Sequence, residues 1–198
     1  NFGTNVAGTT AWIFYNLNFT NASTYKSTLG ATATGTITVT SVLTISASSN
    51  LDANARTVIL SGTGTPFANS GTLTGGTSTI QYTGSGSNTT VAAVANTNYY
   101  HLTIQPTSST TYILGSAGSQ TLVVGGTLTV GGGAGTPTVD AVGTAYNPAI
   151  SLSGNLVLNT CVWTKGSGIW TFAGSSQTIS DSTAGQDLGA ITIGPATT

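Results

Sequence analysis

The chain has 198 residues, enough for one sizeable domain or two small ones, yet it carries only 3 Lys/Arg and 4 Asp/Glu. Charged residues make up 4% against about 25% in ordinary globular chains. Three scattered cations (Lys26, Arg56 and Lys165) and a formal net charge of −1 exclude a nucleic-acid footprint or a charge-steered partner.

Glu and Met are absent while Thr, Val, Ile and Gly recur, which predicts an all-β chain. No apolar run reaches the 18 or so residues needed to span a bilayer, and no signal peptide opens the chain. The lack of an initiating Met points to a processed chain or an excised segment. A charge-poor surface of Thr, Ser and Asn favours an extracellular setting.

The first alternating phrase is FYNLNF at 14–19, with Leu17 and Phe19 as its apolar pair. It returns as YYHLTI at 99–104 and as LGAITI at 188–193. Between these phrases run two copies of one pattern. TITV at 36–39 and LTI at 43–45 match TLVV at 121–124 and LTV at 128–130. Similarly, LSG at 60–62 matches 152–154, and IQYTGS at 80–85 matches WTFAGS at 170–175. The key phrases define a superrepeat of 85–89 residues, with copies at about 12–97 and 98–187 and the start of a third at 188–198.

A shorter period lies inside the long one. The anchors Leu17, Ile37, Ile59, Ile80, Leu102, Leu122, Ile150, Ile169 and Ile191 recur near every twenty residues, with one step of 28. Alternating segments at that spacing, separated by Gly-rich turns, predict a parallel β-solenoid (β-helix) of about nine coils and about 40 Å. Stacked like charges would repel at this spacing, whereas Thr columns can bond along the stack, which accounts for the charge scarcity. Pro66, Pro106, Pro148 and Pro195 fall outside the alternating segments, as ladder bonding requires. The 28-residue step, with GGGAGTP at 131–137 and AYNP at 145–148, reads as a loop or side hairpin leaving the rod or, the reading weighted more heavily, as a neutral insertion in a solenoid corner. Tandem immunoglobulin-like β-sandwiches are the alternative, because 85–89 residues would also suit one sandwich. The near-twenty period and the missing linker favour a single continuous solenoid over 1–198.

The chemistry available is sparse. Asp52, Asp140, Asp181 and Asp187 are the only side-chain carboxylates. Asp52 and Asp140 occupy matched positions four coils apart, too far to act as a glycosidase pair. Asp181 and Asp187 share the loop DSTAGQD and are the weak candidates for a metal, although no calcium-loop pattern accompanies them. His101 replaces Asn16 in the repeat and is expected as an exposed polar position. The single Cys161, in the run CVW, reads as a buried small hydrophobe. Among the aromatics, Tyr99, Tyr100, Tyr146 and Trp163 are the weak candidates for stacking on a glycan. No catalytic residue and no cofactor site are read.

The phrases SQTI (176–179), SQTL (119–122), GTLTV (126–130) and YYHLTI resemble the β-strand-repeat proteins of bacterial surfaces, the filamentous-haemagglutinin-like β-helix adhesins. The resemblance covers most of residues 12–194, without the haemagglutinin secretion-domain motif. It implies a non-enzymatic extracellular stalk, adhesin or filament segment at the cell surface, carbohydrate binding and polysaccharide cleavage being the alternatives. No capping helix or polar plug is read at either end, so the edge strands are expected to take up a further coil, from a second copy or a longer polypeptide.

Overall fold

In a computed structural model of the chain, described over residues 11–20, 26–30, 35–141, 146–183 and 185–194, every strand pairing is parallel and no helix occurs among the described residues. Three sheets wind into a β-solenoid. The first contains β1 (Trp12–Phe19), β3 (Ile37–Ile45), β5 (Thr57–Leu60), β8 (Thr79–Tyr82), β11 (His101–Ile104), β14 (Leu128–Gly131), β17 (Leu156–Asn159) and β20 (Ile179–Asp181). The second contains β2 (Lys26–Thr28), β4 (Asn50–Asp52), β7 (Thr72–Thr74), β10 (Thr97–Tyr99), β13 (Thr121–Val124), β16 (Ala149–Leu152), β19 (Trp170–Phe172) and β21 (Ile191–Ile193). The third contains β9 (Thr89–Val91), β12 (Thr110–Leu114), β15 (Pro137–Asp140) and β18 (Val162–Thr164). Below the third sheet, β6 (Phe67–Asn69) pairs with the second half of β3, so the two longest strands bend round the corner that later turns build from two strands.

The expected period-two alternation sets the core. In the first sheet Ile37, Val58, Ile80, Leu102, Leu128, Leu156 and Ile179 stack in one column, and all but Ile179 are buried. The outward neighbours Thr57, Thr79, Thr103 and Thr129 are half-buried, and their methyl and hydroxyl groups tolerate stacking at about 4.8 Å. Along this column the step runs from 21 residues (Ile37 to Val58) to 28 (Leu128 to Leu156). Corner length varies while the strand frame stays constant.

Eight strands in each of the two long paths make eight rungs and so about seven turns, a stack of roughly 34 Å. This corrects the expected nine coils. The surplus arises because Leu102 and Leu122 lie on two faces of the same turn, in β11 and β13. Two of the anchors also point the other way: the buried neighbours are Val58 and Trp170, while Ile59 is half-buried and Ile169 is 50% exposed. The long sequence repeat runs across faces rather than along one. LSG at 60–62 leaves the first sheet, and its counterpart at 152–154 leaves the second.

Of the two readings of the 28-residue step, the Gly-rich portion follows the insertion within the rod. That portion leads from β14 directly into β15, which pairs with β12 on one side and β18 on the other. It therefore belongs to an ordinary turn of the rod, and Pro137 is tolerated because it opens its strand. Residues 142–145 of that step, and Pro195, lie outside the described residues.

Inside the middle turns, three tyrosines from three faces meet. The Tyr82 and Tyr99 hydroxyls lie 3.0 Å apart. The Ala92 N–H donates to Tyr82 at 3.2 Å, and Tyr99 donates to the Ala92 carbonyl at 2.8 Å. That leaves Tyr82 as donor to Tyr99, so the proton positions close into a ring. Tyr112 donates to the Gly84 carbonyl. Tyr82→Phe should strand the buried Ala92 N–H and lower stability by about 1–3 kcal/mol in urea unfolding.

Burial pushes the Tyr82 hydroxyl from 10.0 up to about 12 and also raises Tyr99 and Tyr112. The folded state thus holds these protons longer than the unfolded state. Their contribution is intact below the unfolded value near 10, then falls as pH rises towards and through the folded value, by about 1.4 kcal/mol per pH unit for each proton still held. Alkaline unfolding beginning near pH 10, with a phenolate absorbance step coincident with loss of the β-sheet signal, is the expected outcome.

Candidate functional site

The carboxylates are spread over the rod and engaged separately. Asp52 pairs with Lys26 at 2.8 Å, and its Oδ1 accepts from the Asn54 N–H. It lies on the second sheet, whereas Asp140 lies on the third; the matched sequence positions are therefore on different faces. Asp187 pairs with Lys165 and accepts from the Gly189 N–H, which together hold its carboxyl below the usual range. Asp181 accepts from the Thr183 N–H. Among the described residues no cluster of three or more His, Cys, Asp and Glu is placed to hold a metal.

His101 is half-buried rather than exposed. Its Nδ1 accepts from the Thr127 N–H at 2.9 Å, one rung along, and its ring meets Tyr100 edge-on at 4.5 Å. It serves as a ladder partner. Cys161 is 1% exposed, and burial, with the nearby Asp181 carboxylate, pushes its thiol from 9.0 up to about 11. A thiol-specific disulfide reagent at pH 8 should leave the native protein unlabelled and react fully once it is denatured.

The glycan candidates do not converge. Tyr99 and Trp163 are core side chains, so neither offers a ring face to solvent, while Tyr100 and Tyr146 are half-buried. A period-two strand cannot reveal from sequence alone which parity faces in when aromatics occupy both. Among the described residues the exposed rings are Trp12, 44% exposed, and Tyr15, 75% exposed, both on β1. Two shallow polar clefts of about 370 and 300 Å³ lie between rungs, the first lined by residues including Asn50, Ser70 and Asn96, the second by residues including Asn88, Thr110 and Thr138.

Among the described residues most of the exposed large hydrophobic side chains lie on the end rungs. At the C-terminal end Ile179 stacks on Leu156, Ile191 on Trp170 and Ile193 on Phe172, which places all three over the core. They are nevertheless 52%, 46% and 85% exposed. Asp181, stacked on Leu158, takes the remaining inward position of β20. At the other end Trp12, Phe14, Leu17 and Phe19 stand over Ile37, Val39, Leu43 and Ile45, with Trp12 and Phe14 stacked at 6.2 Å. In both end rungs one edge of the strands has no neighbour within the described residues.

The inward placement of Asp181 was open to sequence reasoning, since Ile179-Ser180-Asp181 alternates and puts Ile179 and Asp181 on one face. The burial of Arg56 was not, because arginine in a corner is ordinarily solvated. Comparison of the chain with protein-family models, with curated proteins and with solved structures gives no match.

Proposed function

We propose that the chain is a non-enzymatic structural module, a stiff rod segment of an extracellular stalk, adhesin or filament, extended end to end by a second copy. The observation that supports this reading most is the pair of open rungs. Within the described residues both ends offer unpaired parallel strand edges over apolar columns: Ile179, Ile191 and Ile193 at one, and at the other the exposed Trp12 with Phe14 and Phe19 half-buried beside it. Unpaired edges of this kind template further pairing. The few ionic groups and the dispersed carboxylates lend further support to a mechanical role.

Asp181 works against such stacking, because a further rung would cover a carboxylate without a cation, at a cost of several kcal/mol. The wild-type protein should therefore associate weakly, and Asp181→Leu at least tenfold more tightly, read as a concentration-dependent shift in sedimentation velocity, with a 4.8 Å axial repeat in the assemblies. A chain that stays monomeric at millimolar concentration, with Asp181→Leu indistinguishable from wild type, would overturn end-to-end extension by a second copy.

A further inference from the structure

Arg56 occupies the corner between β4 and β5 and is 1% exposed, yet none of its three guanidinium nitrogens has a hydrogen-bond partner. The strand register places Thr57 beside Thr79, so Arg56 and Ser78 are stacked neighbours, and the Thr79 N–H donates to the Arg56 carbonyl at 3.0 Å. Ser78 is fully buried, and its hydroxyl is likewise without a partner. Two adjacent corner positions thus present up to six N–H and O–H donors to an interior that supplies no acceptor.

No side-chain carboxylate of this chain bonds the guanidinium. There are four. Asp52 and Asp187 each face a lysine. Asp140 and Asp181 lie about three and five rungs further along the path from β5, roughly 14 and 24 Å away along the axis. A buried cation with neither partner nor counter-charge is far costlier than any other arrangement in this core.

We propose that Arg56 and Ser78 form an interior binding site for a small monovalent anion, filled by chloride in ordinary saline. One guanidinium calls for one negative charge, and the other two side-chain cations, Lys26 and Lys165, are already paired with Asp52 and Asp187, so neither is left to offset the steeper desolvation of a dianion. A halide accepts from any direction, which suits a planar fork of N–H groups on one rung and a rotatable hydroxyl on the next. The anion would close the corner from within, tying the second and third turns together.

Bromide is the probe. Crystals of the full chain grown in bromide should give an anomalous peak within hydrogen-bonding reach of Arg56 Nη1 or Nη2 and of Ser78 Oγ. In solution, at constant ionic strength held with gluconate, each tenfold rise in bromide above its dissociation constant should raise the folding constant about tenfold. Arg56→Met, which removes the charge and keeps the stem, should abolish that dependence; Ser78→Ala, which keeps the guanidinium, should shift it several-fold to higher bromide. A flat wild-type response, a response unchanged in either variant, or a map showing only water and carbonyl oxygens around Arg56 would overturn the site.

Discussion

Gly131→Ala should lower the stability of the rod by at least about 4 kcal/mol, a large share of the 5–15 kcal/mol typical of a domain. Gly131 ends β14 with φ of +84°, and a Cβ there would sit 1.5 Å from the Asn159 carbonyl oxygen on the next rung. Both strain and overlap act, and because the clashing atom is backbone no side chain can swing aside. Gly64 separates the two effects. Its φ is +72°, but nothing lies within 4 Å of the added carbon, so Gly64→Ala should show strain alone, about 1 kcal/mol. Urea midpoints of the two variants, compared with wild type, test the distinction. Equal losses would mean that close packing of successive turns does not govern glycine use in this solenoid.

Trp170→Ala is expected to cost about 3–5 kcal/mol. The Trp170 ring stacks on Phe172 at 5.7 Å and tilts against Trp163 at 5.1 Å, between Ile150 on one rung and Ile191 on the next. Its removal empties the core of the last complete turn. In a stack where each turn contacts only its neighbours, the damage should stay local. Amide exchange should accelerate in β16 to β21 while β3 to β8 keep their protection. Uniform loss of protection would instead indicate a single cooperative unit with no nearest-neighbour character.

The residues explain how much of this could be read in advance. Parallel stacking, inward Leu, Ile and Val, outward Thr and the dearth of charge follow from local alternation and a recurring spacing. Both signals survive in the linear order of residues. The face to which a strand belongs does not, because Leu102 and Leu122 differ only in which side of one turn they occupy. Parity was ambiguous wherever apolar residues fill both sides, as in TVIL, where Val58 is buried and Ile59 only partly so. Gly131 to Pro137 has the composition of an excursion, yet those glycines permit close approach of successive rungs and the proline opens a strand. The weak candidates faded for a similar reason: Tyr99 and Trp163 are large apolar bodies first, and burial claims them. Arg56 ran against every compositional expectation, and only the register with Ser78 brought it into view.

The two end rungs, each with one strand edge unpaired within the described residues, have a consequence for symmetry. All described strands of the rod run parallel, so its two end faces are unlike: one bears Trp12 and Phe14, the other Ile179, Ile193 and Asp181. A two-fold dimer would press like against like, bringing two Asp181 carboxylates together or leaving both C-terminal faces uncovered. Head-to-tail contact instead joins unlike faces with strand direction preserved. Such a heterologous contact closes into a ring only if its rotation happens to close; otherwise it propagates as a polar helix. An assembly built this way would have a growing end distinct from its starting end, and the single carboxylate would bias the direction in which it grows.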